Sequence, residues 1–174
     1  MKIYLIGYRC TGKTSIGKKL ADELGLCFID TDDNVQTKAC MNIFDLIDKK
    51  GWAYFRQLEK ECLKETLEIE NCIISTGGGI ILDKENRTYM NQTGLCIWLK
   101  AEVQTILTRL AQDPNTEELR PALSHHSLDD ETVKILKERT PLYQEVQDIT
   151  VQTDRLSIND CCQEIIRRIK DVRF

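Results

Sequence analysis

The sequence predicts a three-layer α/β/α fold, in which a central, mostly parallel sheet of five strands lies between two layers of helices. Two observations predict this fold. Short apolar runs alternate along the chain with segments whose apolar residues recur at helical spacing, which implies right-handed βαβ crossovers. The chain of 174 residues contains no linker, repeat or low-complexity tract, so we expect a single domain over 1–174. The predicted strands are Ile3–Ile6, Cys27–Asp30, Cys72–Thr76, Leu95–Leu99 and Asp148–Val151.

The composition limits the functions that this chain can have. A hydrophobic content of 41% and a charged content of 30% are typical of a soluble globular protein. The formal net charge is -4 and the Lys and Arg residues are scattered, so we expect no nucleic-acid partner. No apolar run approaches the ~18 residues of a membrane helix, and the first run is too short for a signal peptide. We therefore expect a cytoplasmic protein with no membrane partner. A monomer is also expected, although no feature of the sequence determines the oligomeric state.

The first strand leads into a glycine-bounded loop. Gly7–Thr14 has the pattern G-x-x-x-x-G-K-[ST] of a phosphate-binding P-loop, and Ser15–Leu24 has helical spacing and is ended by Gly25. In such a loop the backbone N–H groups and the helix N-terminus bind an anion. Lys13 reaches the β- and γ-phosphates of a nucleotide, and the Thr14 hydroxyl binds Mg²⁺. A chance lysine after a glycine turn is the alternative, but the strand before and the helix after disfavour it.

The second strand ends in two carboxylates. Asp30 follows the strand near the P-loop and could hold Mg²⁺ directly or through water. Asp32 could face an acceptor, hydrogen-bond its hydroxyl group and take the proton during transfer. The alternative for both residues is a cap on the turn that follows, where Asp is common.

Two predicted helices follow. A short helix over Ile43–Ile47 is closed by Gly51, and a longer helix starts near Trp52. Arg56 lies off the apolar stripe of the longer helix. Glu59 is three residues further on, where it could orient Arg56 or form only a surface ion pair. The stripe comprises Trp52, Phe55, Leu58, Cys62, Leu63, Thr66 and Ile69.

Past the third strand, Gly77–Gly79 offers a backbone that a small ligand could approach closely.

The stretch 112–126 has two prolines and no apolar period, which predicts a mobile lid. The next helix is predicted to start at a capping box of Ser127 and Asp130 and to be stopped by Thr140-Pro141, with Arg139 in its last turn. A final helix is predicted after the capping pair Ser157 and Asp160, with the stripe Ile158, Cys162, Ile165, Ile166 and Ile169.

The polar segments should meet. The P-loop, the Asp30/Asp32 pair and the Gly77–Gly79 run each follow a strand directly, and ligands of parallel sheets bind outside the carboxyl ends of the strands. We therefore expect these segments to lie at one edge of the sheet, although they are far apart in sequence. This convergence is the main functional inference from the residues alone.

Eight cysteines occur without a C-x-x-C pair, so the spacing of a zinc site is absent. Cys27, Cys72 and Cys96 fall in apolar strand runs, where cysteine acts as a small hydrophobe. We expect reduced core residues, and a disulfide or metal role is the alternative.

Six stretches, in order, resemble the shikimate kinase family over nearly the whole chain, and together they are highly specific. The resemblance implies that the γ-phosphoryl group of ATP is transferred to the 3-hydroxyl of shikimate, in the route to chorismate and the aromatic amino acids. The stretches are Gly7–Thr14, Asp30–Asp32, Gly51 to Glu59, Thr76–Gly79, Arg120–Leu123 and Glu138–Tyr143.

The resemblance also implies roles for individual residues. Lys13, Asp32 and Arg120 would be catalytic, with Arg120 closing over ATP from the lid. Thr14 would bind Mg²⁺, with Asp30 beside it. Shikimate would be held in a helical segment of about 31–62 and around it, by Asp32, Arg56, Gly77, Gly78, Gly79 and Arg139. The nucleotide would be held by Cys10, Thr11, Gly12, Lys13, Thr14, Ser15, Arg109, Arg120 and Arg155.

The chain departs from the family pattern at two places. Cys10 stands where the P-loop usually has a glycine, and we expect altered ATP affinity more than lost activity. Glu117-Glu118 just before Arg120 is expected to weaken the binding of phosphates by the lid.

Another small P-loop kinase, for gluconate or a nucleoside monophosphate, is the nearest alternative function. A GTPase would need N-K-x-D, and no Asn-Lys pair occurs. A non-catalytic ATP-binding module would be expected to lack Lys13, Asp32 or Arg120.

Overall fold

The chain folds around a parallel sheet of five strands. The computed structural model describes residues 1–113 and 128–172. The strands have the spatial order β2-β3-β1-β4-β5, and every neighbouring pair is parallel. The predicted α/β fold with a five-stranded sheet is therefore confirmed. The strands are β1 Lys2–Ile6, β2 Cys27–Asp30, β3 Cys72–Ser75, β4 Leu95–Lys100 and β5 Ile149–Gln152.

Helices cover both faces of the sheet. Along β1, Ile3 and Leu5 pack into a core with α1 and α7, whereas Tyr4 and Ile6 pack into a second core with α4 and α6. Successive strand residues point to opposite faces, so a run that is apolar throughout is buried on both sides. The helices are α1 Lys13–Leu24, α2 Thr31–Ala39, α3 Ile43–Glu65, α4 Lys84–Thr93, α5 Val103–Gln112, α6 Leu128–Val146 and α7 Ile158–Asp171, with 3₁₀ turns at Thr66–Glu68 and Ile80–Leu82.

The local signals for helix ends hold at most places. Gly25 is left-handed (φ 65°) and ends α1, and Ser157 and Asp160 form a capping box at the start of α7. Gly51 is non-helical (φ 81°) inside α3, so it separates the two predicted helices as a kink. Ser127 lies outside the described residues. Within the two described ranges, none of the helices combines the length and apolar character needed to cross a bilayer.

Three predictions are wrong. Pro141 does not stop the helix, because α6 continues to Val146 and Arg139 is not in its last turn. A proline inside a helix lowers the stability of the helix by about 3 kcal/mol. Tyr143, two residues after Pro141, offsets this loss because it is fully buried and stacks on Trp98, with the ring centroids 5.6 Å apart. This packing supports the last turn. The other two errors concern exposure: Cys27 on the edge strand is exposed, as are three stripe residues, Trp52, Ile69 and Ile158.

Candidate active site

A cleft of about 530 Å³ lies at the carboxyl ends of the strands. It is lined by residues from six parts of the chain, so the predicted convergence of the P-loop, the carboxylate pair and the glycine run is confirmed. Its volume suits a small-molecule site. The residues lining it include Cys10, Gly12, Lys13, Thr14, Ser15, Asp30, Asp32, Arg56, Glu59, Gly77, Gly78, Gly79 and Arg139.

The P-loop wraps tightly around the start of α1. Gly7 and Gly12 have φ values of 146° and 93°, a region that favours glycine. Lys13 is buried, and its Nζ donates hydrogen bonds to the carbonyls of Gly7 (3.0 Å) and Tyr8 (2.7 Å). The Thr11 hydroxyl also donates to the Tyr8 carbonyl, at 2.8 Å. Lys13 is therefore held inside the loop that the sequence assigned to phosphate.

The residues predicted to hold Mg²⁺ are in contact. The Thr14 hydroxyl donates to Asp30 Oδ2 at 2.8 Å, and the Ser75 hydroxyl is 3.4 Å from Thr14 Oγ1. Asp30 Oδ1 accepts the Asp32 amide at 3.0 Å and so caps α2. Both interpretations of Asp30 thus apply, because one carboxylate oxygen caps the helix and the other faces Thr14. A hydroxyl and a carboxylate beside a P-loop fit a magnesium ion that takes its other ligands from phosphate and water.

Arg56 and Glu59 form an ion pair on α3 in which the carboxylate is buried and the guanidinium is partly exposed. Arg56 Nη1 lies 2.5 Å from Glu59 Oε2, and the Glu59 side chain is only 1% exposed, so the alternative of a surface pair is excluded. The guanidinium also lies over the rings of Phe55 and Trp52, at 4.9 and 5.3 Å from their centroids. These contacts fix the direction of a cation that lines the cleft.

Two of the three glycines, Gly77 and Gly79, lie directly against charged side chains of the site. A Cβ atom at Gly77 would lie closer than 3.0 Å to both Glu59 Oε1 and Asp32 Oδ1. One at Gly79 would overlap the Arg56 guanidinium. The sequence predicted close approach by a ligand, whereas here the glycine run makes room for the charged side chains of the site itself.

Arg139 and Tyr143 share one acceptor. Arg139 Nη1 donates to the Gly78 carbonyl at 3.0 Å, and the Tyr143 hydroxyl donates to the same oxygen at 2.6 Å. Tyr143 was not predicted as a site residue, although it lies in the Glu138–Tyr143 stretch. The two contacts hold the glycine run against α6.

A second ion pair links the P-loop to α6, and this one was not predicted from the sequence. Arg9 Nη2 lies 2.6 Å from Glu131 Oε1, with exposures of 12% and 2%. No signal in the sequence joins these residues, which are 122 positions apart.

Two predicted nucleotide residues, Arg109 and Arg155, are not among the residues that line the cleft. Arg109 donates to the Cys10 carbonyl at 3.2 Å and to the Thr153 carbonyl at 2.7 Å, so it ties the P-loop to the chain after β5. Arg155 is exposed two residues beyond Thr153. Arg120 and nearly all of the predicted lid lie outside the described residues.

The family model for shikimate kinase matches residues 9–170. The chain belongs to the shikimate kinase family. A shikimate kinase from Syntrophus aciditrophicus is 35% identical and spans 99% of this chain and 92% of its own length. Shikimate kinase 2 from Photorhabdus laumondii is 44% identical over 81% of this chain and 80% of its own length. The solved structure of a shikimate kinase from Acinetobacter baumannii in complex with shikimate is 33% identical in sequence. The match covers 98% of this chain and 93% of that one, with a TM-score of 0.91.

Cys10, the residue that departs from the shikimate kinase pattern, is strained. Its φ of 59° is left-handed, which costs a residue with a side chain about 1 kcal/mol. We expect Cys10→Gly to raise the free energy of unfolding by about 0.5–1 kcal/mol, since part of the gain is offset by the unfolded-state entropy of glycine. We also expect its KM for ATP to fall, because the loop then allows closer backbone approach. Urea denaturation and steady-state kinetics measure both.

Cys40 supplies the matched control for that substitution. It is also left-handed (φ 52°), but it is exposed at the end of α2. Cys40→Gly should give a similar gain in stability and leave the KM for ATP unchanged. Equal KM changes in both variants would refute a local effect of Cys10 on the nucleotide.

The buried Glu59 predicts a pH dependence of the stability of this protein. Burial raises the pKa of Glu59 to about 7, with Arg56 and Arg139 opposing the shift and Asp32 adding to it. The folded state therefore holds this proton more tightly than the unfolded state does. The stabilisation is complete below pH about 4.5 and is lost as the pH rises through about 7.

We expect the free energy of unfolding to decline across that window by up to about 3 kcal/mol relative to Glu59→Gln. Urea denaturation of both proteins at several pH values, with the two profiles subtracted, measures this difference. Glu61→Gln is the control, because Glu61 is exposed on the same helix and its pKa is lowered by hydrogen bonds from Gln57 and Lys38. A flat difference profile for Glu59→Gln would contradict the assignment.

Proposed function

We propose that this protein transfers the γ-phosphoryl group of ATP to the 3-hydroxyl of shikimate, giving shikimate 3-phosphate and ADP, with Mg²⁺ as cofactor. The observation that carries the proposal is a single cleft that is lined both by the P-loop and by Asp32, Arg56 and Arg139. The Acinetobacter baumannii relative, which is in complex with shikimate, supports the choice of acceptor. We also propose a cytoplasmic monomer.

The part of the cleft lined by Arg56 and Arg139 suits a hydroxylated carboxylic acid as the phosphate acceptor. Arg56 and Arg139 supply two cations whose forked guanidinium groups match a carboxylate. Glu59 orients Arg56, and the Gly78 carbonyl orients Arg139. This pair favours a hydroxylated acid over an uncharged sugar. Gluconate is also such an acid, so the preference for shikimate rests on the family of the chain and on the relative in complex with shikimate.

The chemistry falls to a few groups of the chain. Asp32 accepts a hydrogen bond from the 3-hydroxyl and takes its proton as the oxygen attacks phosphorus. Lys13 leaves the loop carbonyls for the phosphates and neutralises their charge. Thr14 and Asp30 would hold Mg²⁺, which when bound neutralises charge on the phosphate oxygens. Arg120, by its position in the family pattern, would add a further cation, and closure of its segment would exclude water.

A panel of acceptors tests the proposal. The purified protein is assayed for ADP release with ATP and Mg²⁺ in the presence of shikimate, gluconate or a nucleoside monophosphate. We expect release only with shikimate, and loss of release when a chelator removes Mg²⁺. Equal release with gluconate, or release that does not depend on any acceptor, would overturn the proposal.

A further inference from the structure

Two cysteines are neighbours at the amino ends of β2 and β3, at the opposite end of the strands from the cleft. Cys27 and Cys72 are partners in the register of this parallel pair, and the Cys27 Sγ donates to the carbonyl of Asn71, the residue before Cys72, at 3.5 Å. Side chains of such partners leave the same face of the sheet, and neighbouring strands are about 4.8 Å apart. That spacing is within the range of about 4.4–6.8 Å between Cα atoms that a disulfide spans.

The two thiols differ in access to solvent. Cys27 is exposed on the edge strand, whereas Cys72 is buried. Backbone contacts hold both in place, since the Cys27 amide donates to the Asn71 carbonyl at 3.1 Å and the Cys72 Sγ donates to the Ile69 carbonyl at 3.5 Å. Burial also raises the pKa of the Cys72 thiol. A dissolved oxidant therefore meets Cys27 first, with a second thiol already beside it.

We propose that Cys27 and Cys72 are a site of oxidative modification, at which a hydroperoxide produces a reversible intramolecular disulfide. The Cys27 thiolate attacks the O–O bond, which breaks to give a sulfenic acid and release an alcohol or water. The Cys72 sulfur then attacks the Cys27 sulfur, the S–S bond forms, and the hydroxyl group leaves as water with the Cys72 proton. The two thiols together lose two electrons and two protons, which the peroxide gains, and a thiol reductant reverses the reaction.

The cross-link should stabilise the fold and leave the cleft intact. It closes a loop from residue 27 to residue 72 that contains Asp32 and Arg56, so it restricts the unfolded chain. The carboxyl end of the same strand pair, where Asp30 is opposite Ser75, borders the cleft. It lies three residues, or about 10 Å, from the two cysteines. We expect Tm to rise by roughly 5 °C or more, with kcat within about twofold of the reduced protein.

The experiment treats the full chain with hydrogen peroxide, blocks free thiols, and combines peptide mapping by mass spectrometry with thermal melts. We expect a Cys27–Cys72 linked peptide, a mass loss of two hydrogen atoms, a higher Tm, and reversal by dithiothreitol. Cys27→Ser should lose the linked peptide and the gain in Tm. Cys40→Ser should keep both, because Cys40 is likewise exposed but lies at the end of α2 and is not part of the β2–β3 pair.

Two results would overturn the proposal. One is Cys27 recovered as a sulfinic acid, or linked to another cysteine, while Cys72 is alkylated in the parent protein. The other is a gain in Tm that persists in Cys27→Ser. Peptide mapping of the parent protein decides the question even if a variant folds poorly.

Discussion

Replacing Asp32 with Asn is expected to lower kcat by about 10²–10⁴-fold, the range that a general base contributes. The amide keeps the size of the side chain and its ability to hydrogen-bond a hydroxyl group, so the KM values for shikimate and ATP should change little. Steady-state kinetics with both substrates varied separates the two effects.

The neighbouring carboxylate supplies the control for that experiment. Asp33 also lines the cleft but has no assigned role, so Asp33→Asn should retain most of the parent kcat. A parent-like kcat in Asp32→Asn would remove Asp32 from the chemistry and leave it a binding role at most.

Replacing Arg56 with Ala is expected to raise the KM for shikimate by about 100-fold or more. The variant loses the proposed charge pair between Arg56 and the shikimate carboxylate, and a hydrogen-bonded charge pair in a cleft is worth several kcal/mol. It should also reduce the free energy of unfolding by about 3 kcal/mol, because the buried Glu59 loses the cation 2.5 Å away. Steady-state kinetics and urea denaturation measure the two effects on the same preparation.

A double variant separates binding from folding. Arg56→Ala combined with Glu59→Gln removes the uncompensated buried charge, so it should recover part of the lost stability and none of the shikimate affinity. Arg167→Ala, which removes an exposed arginine on α7, should change neither quantity. Recovery of the KM in the double variant would mean that Arg56 acts only on the fold.

The elements that the sequence predicted well are those governed by short-range rules. Apolar runs that are buried on both faces identified the strands, and Gly25, Gly51 and the Ser157 capping box marked breaks that depend on local backbone geometry. Pro141 was misjudged because the packing of Tyr143 on Trp98, a long-range contact, outweighs a local penalty. Cys27 was misjudged because an apolar run does not reveal which strand lies at the edge of the sheet.

The site shows the same division. The P-loop and the i, i+3 relation of Arg56 and Glu59 could be predicted, because their spacing along the chain determines their geometry. Three features could not be predicted, since each depends on how distant segments pack. They are the burial of Glu59, the Gly78 carbonyl shared by Arg139 and Tyr143, and the Arg9–Glu131 pair. The positions of Arg120 and the lid remain predictions.

The claim on which this account depends is that one cleft joins the nucleotide phosphates to a single hydroxyl group of shikimate. The most direct test is phosphorus–proton correlation NMR of the product formed from ATP, Mg²⁺ and shikimate. We predict one new phosphate ester whose phosphorus couples to the proton on carbon 3. Coupling to another ring proton, or inorganic phosphate as the sole product, would contradict the account.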